Sequence, residues 1–404
     1  MPMIRYALTA MVVASLYGCN SSETAGRGVV VSDTVGDTIR TVTTEIVPRQ
    51  FANGPTVLLH DDRLFNPRSM AANGGSLIIG DYTQVHILRL DDRSLHSVGG
   101  QGDGPGEYRS VAAVTTTPSG DILVLDDRQG RLSVLDSDGG FKNSRQLEAL
   151  GMLRAPAANV LARHGGGVVL AWKAGVVNPG ADPFDVAVVW QSDDGQVDEL
   201  VRLKDIEMVD GGRMIVPKNP YGARPLIAVG PRGTVATSDG LDYCVTLRSV
   251  GDPSVRQLCR EWQRVPAESD PSPFELKQIV EVSEIREVAL ESRLGSEELD
   301  LRNSIEGLLV DSGQNVWVKV LHPDSRYSTM IRHMWTELRP DFYIWDVLSP
   351  TGHRLAEVLF PNEFVPLLIH EDQVFGTLEL ETGELAIARF DIEIPRDAGA
   401  ALDG

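Results

Sequence analysis

The chain has 404 residues, 42% of them hydrophobic and 23% charged, with a formal net charge of -20. That is enough apolar material for a large buried core, and so acidic a surface excludes a partner recognised through phosphate backbones, so no nucleic acid is expected. With 39 glycines and 23 prolines, the composition favours many turns and few long helices.

In chain order, a short basic start with Arg5 is followed by an apolar run from Tyr6 to Gly18. The run is too short for a stable bilayer span and has the form of a signal-peptide apolar region. It ends in Leu16-Tyr17-Gly18-Cys19, which resembles the bacterial lipobox. That resemblance implies cleavage before Cys19 and lipidation of its thiol, with palmitate among the acyl chains. It makes membrane lipid, reached through acylated Cys19, an expected partner, and the cell envelope (outer membrane or cell surface) the expected location. The polar stretch Asn20 to Gly28 reads as a flexible tether. The expected organisation is a signal peptide over 1–18, an acylated cysteine and tether over 19–37, a folded body over 38–395 and a disordered tail over 396–404.

The body repeats. When Asp81 is set on Asp126, Ile79 falls on Val124, Ile87 on Leu132, Leu90 on Leu135 and Asp91 on Asp136. Each copy is an apolar strand, an aspartate-led turn and a second apolar strand, a period suited to four-stranded blades. Runs such as Ile122-Leu123-Val124-Leu125 leave no polar face, as expected of sheets covered on both sides by neighbouring blades. Weaker copies lie at Gly165 to Gln196, Pro225 to Val250, Gly307 to Phe360 and Phe364 to Ile392. The count is six, with seven left open by the irregular third and fifth copies. The sixth supplies three strands, and Thr38 to Val47 is the expected fourth, closing the ring and removing its open edges. The fold class is therefore all-β, a six-bladed β-propeller of four-stranded antiparallel blades, with a short helical insertion.

Between the first two copies lies Gly99 to Tyr108, with five glycines and a proline. No strand–loop–helix context or GK[ST] ending makes it a phosphate loop. It reads as the crossing from one blade's outer strand to the next blade's inner strand, where glycine permits positive φ and close approach. This segment and the strands after it resemble the NHL-type six-bladed propellers, with Asp126 and Arg131 at that family's Asp and Arg positions and His86 replacing the arginine in the first copy. Together with the lipobox, the pattern resembles bacterial six-bladed propeller lipoproteins.

Two segments interrupt the β rhythm. Ser272 to Gly307, with its helical insertion about 272–306, carries apolar residues at spacings of three and four and is expected to form one or two amphipathic helices. Leu321 to Asp341, rich in Arg, His, Met and Trp, is a candidate recognition loop.

Candidate site residues are few. Cys244 and Cys259 flank the turn chemistry of Gly251-Asp252-Pro253. A hairpin centred there sets them opposite each other, within reach of a disulfide in an oxidising compartment, the other reading being two buried thiols. Asp81, Asp126 and Asp239 recur at related positions. They are either channel acids that could hold a cation or turn residues that accept backbone N–H groups and pair with residues such as Arg131. Asp136 to Gly140 lacks the acids of a calcium loop. No catalytic or zinc-binding spacing occurs, so no catalytic residue, metal ligand or cofactor is assigned. The expected function is a monomeric, membrane-anchored platform that binds a protein, peptide or glycan without catalysis. The alternative, implied by resemblance at the level of fold, is a lyase or metal-dependent lactonase with its site in the central channel.

Overall fold

The alternation of apolar residues on both faces of the strands is satisfied by radial stacking. A computed structural model describes residues 29–33, 38–42, 49–52, 54–147, 161–173, 185–204, 208–210, 215–217, 225–262, 304–321 and 342–395. Four strands precede the first complete blade: β1 (Val29–Asp33), β2 (Thr38–Val42), β3 (Arg49–Phe51) and β4 (Thr56–His60). Blade one is β5 (Pro67–Asn73), β6 (Ser76–Asp81), β7 (Gln84–Arg89) and β8 (Leu95–Gly99). Blade two is β9 (Val111–Thr116), β10 (Ile122–Asp126), β11 (Arg131–Leu135) and β12 (Phe141–Gln146). Blade three is β13 (Leu161–His164), β14 (Gly167–Lys173), β15 (Val186–Ser192) and β16 (Val197–Leu203). A small hairpin follows, β17 (Met208–Asp210) with β18 (Ile215–Pro217). Blade four is β19 (Leu226–Val229), β20 (Thr234–Ser238), β21 (Cys244–Ser249) and β22 (Asp252–Arg260). Blade five is β23 (Ile305–Val310), β24 (Val316–Val320), β25 (Phe342–Leu348) and β26 (Arg354–Pro361). Blade six begins with β27 (Phe364–His370), β28 (Gln373–Glu379) and β29 (Leu385–Asp391). Each blade is an antiparallel meander, and six of them make the wheel.

One apolar cluster fills each gap between blades. Ile78, Val85 and Ile87 meet Val111, Val114 and Ile122 between blades one and two. Along β14, Val168 and Leu170 face blade two while Val169 and Ala171 face blade four, the period-two alternation of a strand buried on both sides. The ring closes where Phe375 and Ile387 of blade six pack on Leu77 and Ile79 of blade one.

The closing strand differs from expectation. β29 pairs with β4, setting Ile387 opposite Leu59, so the fourth strand of blade six is Thr56–His60 rather than Thr38–Val47. Part of the latter, β2, instead pairs with β1, which lies on the outer strand of blade four with Val30 opposite Cys259. β1 itself falls inside the span expected to be tether. β3 runs parallel to β26 on blade five. The N-terminal segment thus covers the outer edges of blades four, five and six in turn. Sequence alternation marks a strand but not which of several exposed edges it joins.

The disulfide between Cys244 and Cys259 is present, and the two residues are direct partners across β21 and β22. Among the described residues there is no helix. Ser304 donates through Oγ to Leu241 O at 2.8 Å and Ile305 and Glu306 open strand β23, while 272–303 of the expected helical insertion, the candidate loop beyond Leu321, Cys19 and the C-terminal tail lie outside the described residues.

Candidate functional site

The first strands of the six blades surround a central channel of about 600 Å³. These strands share one direction: Ser69 Oγ accepts from Val114 N at 3.0 Å near one end, and Asn73 Nδ2 donates to Gly120 O at 2.9 Å near the other. The wheel therefore has two distinct faces. On one, the turns joining first to second and third to fourth strands are short, none longer than 117–121. On the other, second strands end and third strands begin, and the chain leaves each fourth strand for the next blade; the strand ends on either side of 174–185, 204–225, 261–304 and 321–341 are all there. Among the described residues, the strand ends that flank the long connections thus all stand on one face.

Asp81 and Asp126 stand on that face at the ends of second strands, one strand outward from the channel wall. Phe65 N and Asn66 N donate to Asp81 at 2.7 and 2.6 Å. Arg109 N donates to Asp126 Oδ2 at 2.7 Å, and Arg128 N and Gln129 N donate to Oδ1 at 3.0 and 2.9 Å. Each carboxylate therefore pins the segment entering its own blade. Burial pushes the Asp126 carboxyl up, against the opposing pull of its backbone donors. Asp239 is exposed and accepts from Leu241 N at 3.0 Å, because the strand end equivalent to Asp81 is Ser238.

The first two copies also slip relative to each other. The turn of blade one is Tyr82-Thr83, whereas that of blade two runs over 127–130. His86 consequently matches Ser133, each lying opposite the equivalent residues Ile79 and Val124, and does not match Arg131. His86 is fully buried, with Nδ1 2.7 Å from Ser97 Oγ and Nε2 3.4 Å from Asp81 Oδ2. Arg131 reaches across the glycine-rich crossing to Asp103 O at 3.0 Å and to Glu107 O. Arg109 holds Asp103 through two bonds of 2.6 Å, and Glu107 Oε2 accepts from Gly104 N at 2.9 Å. The segment Gly99–Tyr108 is accordingly a tied crossing, and its Tyr108 hydroxyl is pushed up to about 12 by burial.

A second polar cluster joins blades four and five. Fully buried Asp346 accepts from Tyr243 Oη at 2.8 Å, Arg260 Nη1 at 2.6 Å and Arg354 Nε at 2.8 Å. Burial and then the Asp346 charge drive the Tyr243 phenol well above its ordinary value. With donors on both carboxylate oxygens, the cluster acts as a cross-link between blades. Arg354 is eight residues from Asp346, but Tyr243 and Arg260 are 103 and 86 residues away, so no local signal marks the cluster.

The channel wall is mostly aliphatic. Met70, Leu161, Leu226, Leu308 and Leu367 contribute, together with Arg68 and His370, and no Asp or Glu is among the lining residues. Two of its hydroxyls are tied to neighbouring strands: Ser69 Oγ accepts from Val114 N at 3.0 Å and Thr116 Oγ1 donates to Ala72 O at 3.0 Å. Among the described residues no group of three His, Cys, Asp or Glu is placed to hold a metal ion. On the same face as the strand ends that flank the long connections, Phe65 is 73% exposed and its ring lies 5.6 Å from that of Tyr82.

No protein-family model and no curated protein matches the chain. Solved propellers do. A Bacteroides fragilis protein described as exported is 12% identical with a TM-score of 0.48, covering 85% of this chain and 95% of its own. The calcium-binding protein regucalcin from Agrobacterium tumefaciens is 12% identical with a TM-score of 0.45, over 86% and 97%. Virginiamycin B lyase from Staphylococcus aureus is 11% identical with a TM-score of 0.38, over 85% and 89%. These likenesses concern overall shape, and function has to be argued from the site.

Proposed function

We propose that the chain is an exported, lipid-anchored propeller whose crossing face is a non-enzymatic platform for a protein, peptide or glycan. The asymmetry of the wheel carries this reading: short turns on one face, and on the other the strand ends that flank the long connections, the exposed Phe65 beside half-buried Tyr82 and the Arg68 end of the channel. Rigid sheets that hold variable loops on one side are a common basis for recognition. The Cys244–Cys259 disulfide supports export to an oxidising compartment, and the apolar run ending in Cys19 supports the anchor.

Two experiments test these parts separately. A photo-crosslinking residue placed at Phe65 is expected to give adducts in the intact envelope, and one at Asp138, on the short-turn face, none. Equal yields, or none from Phe65, would reject the platform. For the anchor, mass spectrometry of the mature N-terminal peptide is expected to find Cys19 as the first residue and acylated; an unmodified Cys19 thiol would reject it.

A further inference from the structure

At the start of β5, Pro67 is opposite Asp81 and Ser69 is opposite Gly80, which leaves Arg68 as the extra residue of a β-bulge. The first strand of blade five bulges at the same point, at Glu306 between Ile305 and Gly307. There the charge is compensated, since Glu306 lies 3.1 Å from Lys319 Nζ. Arg68 has no such partner. Its Nε and Nη2 lie 3.2 and 3.1 Å from the Asn66 side-chain oxygen, in the amide orientation that satisfies both. Arg68 forms no ion pair among the described residues, and it lines a channel wall that contains no Asp or Glu.

Bulges re-aim side chains and concentrate beside binding sites. A guanidinium has five N–H donors, so two given to Asn66 leave three. An unpaired, half-buried cation is the less expected in a chain with a net charge of -20. The surrounding negative field is screened within about 8–10 Å at physiological salt, so the local guanidinium governs what approaches the channel end.

From this position we infer a binding site for a small organic carboxylate with an apolar body. The carboxylate takes the free edge of the Arg68 guanidinium in charge-assisted hydrogen bonds. The body lies against Met70, Leu226, Leu308 and Leu367 in the channel. A volume of about 600 Å³ falls within the usual range of small-molecule sites, roughly 300–1,000 Å³. This inference rests on the reading of the wheel as a binding platform and names a ligand class for its channel.

Titration calorimetry of the full chain carrying Cys19→Ser, with octanoate, octanol and inorganic phosphate as probes, tests it. Octanoate is expected to bind saturably, and both octanol and phosphate at least about tenfold more weakly. Arg68→Gln is expected to weaken octanoate at least about tenfold while leaving octanol unchanged. If that variant fails to fold, the wild-type chain serves: raising the salt concentration should weaken octanoate and not octanol. Absence of octanoate binding, octanol binding as tightly as octanoate, or phosphate binding more tightly than octanoate would overturn the inference. So would an Arg68→Gln variant, or a high-salt titration, with undiminished octanoate affinity. Cross-linking from Phe65 reports on the platform separately, so adducts without octanoate binding would reject the ligand class alone.

Discussion

Gly99 ends the outer strand of blade one with φ +94°, and a Cβ there would lie 2.9 Å from the Tyr108 ring and 3.2 Å from Thr83 O. Gly99→Ala therefore meets both a backbone penalty and a clash with a buried ring. It is expected to destabilise the protein by about 2–4 kcal/mol. Gly74→Ala has φ +50° and nothing within 4 Å, so it should cost only about 1 kcal/mol. Chemical denaturation of both variants checks the difference; equal losses would show that Tyr108 yields freely. Carboxylates on the same face act in opposite directions in acid. The Arg63 hydrogen bond to Asp61 holds that carboxyl at about 2, below its usual 3.8, so the unfolded state gains the proton first and this contribution is lost as pH falls from 3.8 towards 2. Asp126 is raised; its folded form holds a proton that the unfolded chain has released, so its contribution falls as pH rises through the window above 3.8. Arg63→Ala should lower stability above pH 3.8 and flatten its fall between pH 3.8 and 2, and Asp126→Asn should flatten stability above pH 3.8. Acid unfolding curves that are superimposable with wild type would refute both assignments.

Among elements, the N-terminal strands differ in what they support. β4 completes blade six, whereas β1, β2 and β3 cover edges of blades that already have four strands. A chain beginning at Asn53 should therefore still fold, with a lower melting temperature. A chain beginning at Asp61 leaves β29 as a bare edge and removes Leu58 and Leu59 from the cluster between blades six and one, so it should fail to fold cooperatively or should aggregate. Circular dichroism with thermal melts distinguishes the two; a cooperative, unchanged melt from the shorter chain would show that the ring does not need closure. The same scale shows what periodicity conveys. The second strands of blades one and two were legible because their residues are buried on both faces. The third strands slipped by two positions because one turn is two residues shorter than the other, and apolar residues on both faces offer no register mark.

For the whole wheel, the carboxylates legible in the sequence hold backbone N–H groups, and the channel wall is aliphatic with one unpaired arginine. After treatment with EDTA, adding back calcium, magnesium, manganese or zinc should produce no ion-specific rise in melting temperature. An ion at 100 times its dissociation constant would contribute about 2.7 kcal/mol, readily visible in a melt, and such a rise would redirect attention to metal-dependent chemistry. The amino-acid sequence by itself determined the all-β class, the blade period, the tied crossing over Gly99–Tyr108 and the pairing of Cys244 with Cys259, because burial on both faces, turn chemistry and hairpin symmetry act between near neighbours. Tertiary structure alone decided which strand closes the ring, that Asp346 gathers Tyr243, Arg260 and Arg354, and that Arg68 bulges into the channel. Those outcomes depend on edges and cavities formed by residues far apart in the chain, where no local propensity acts.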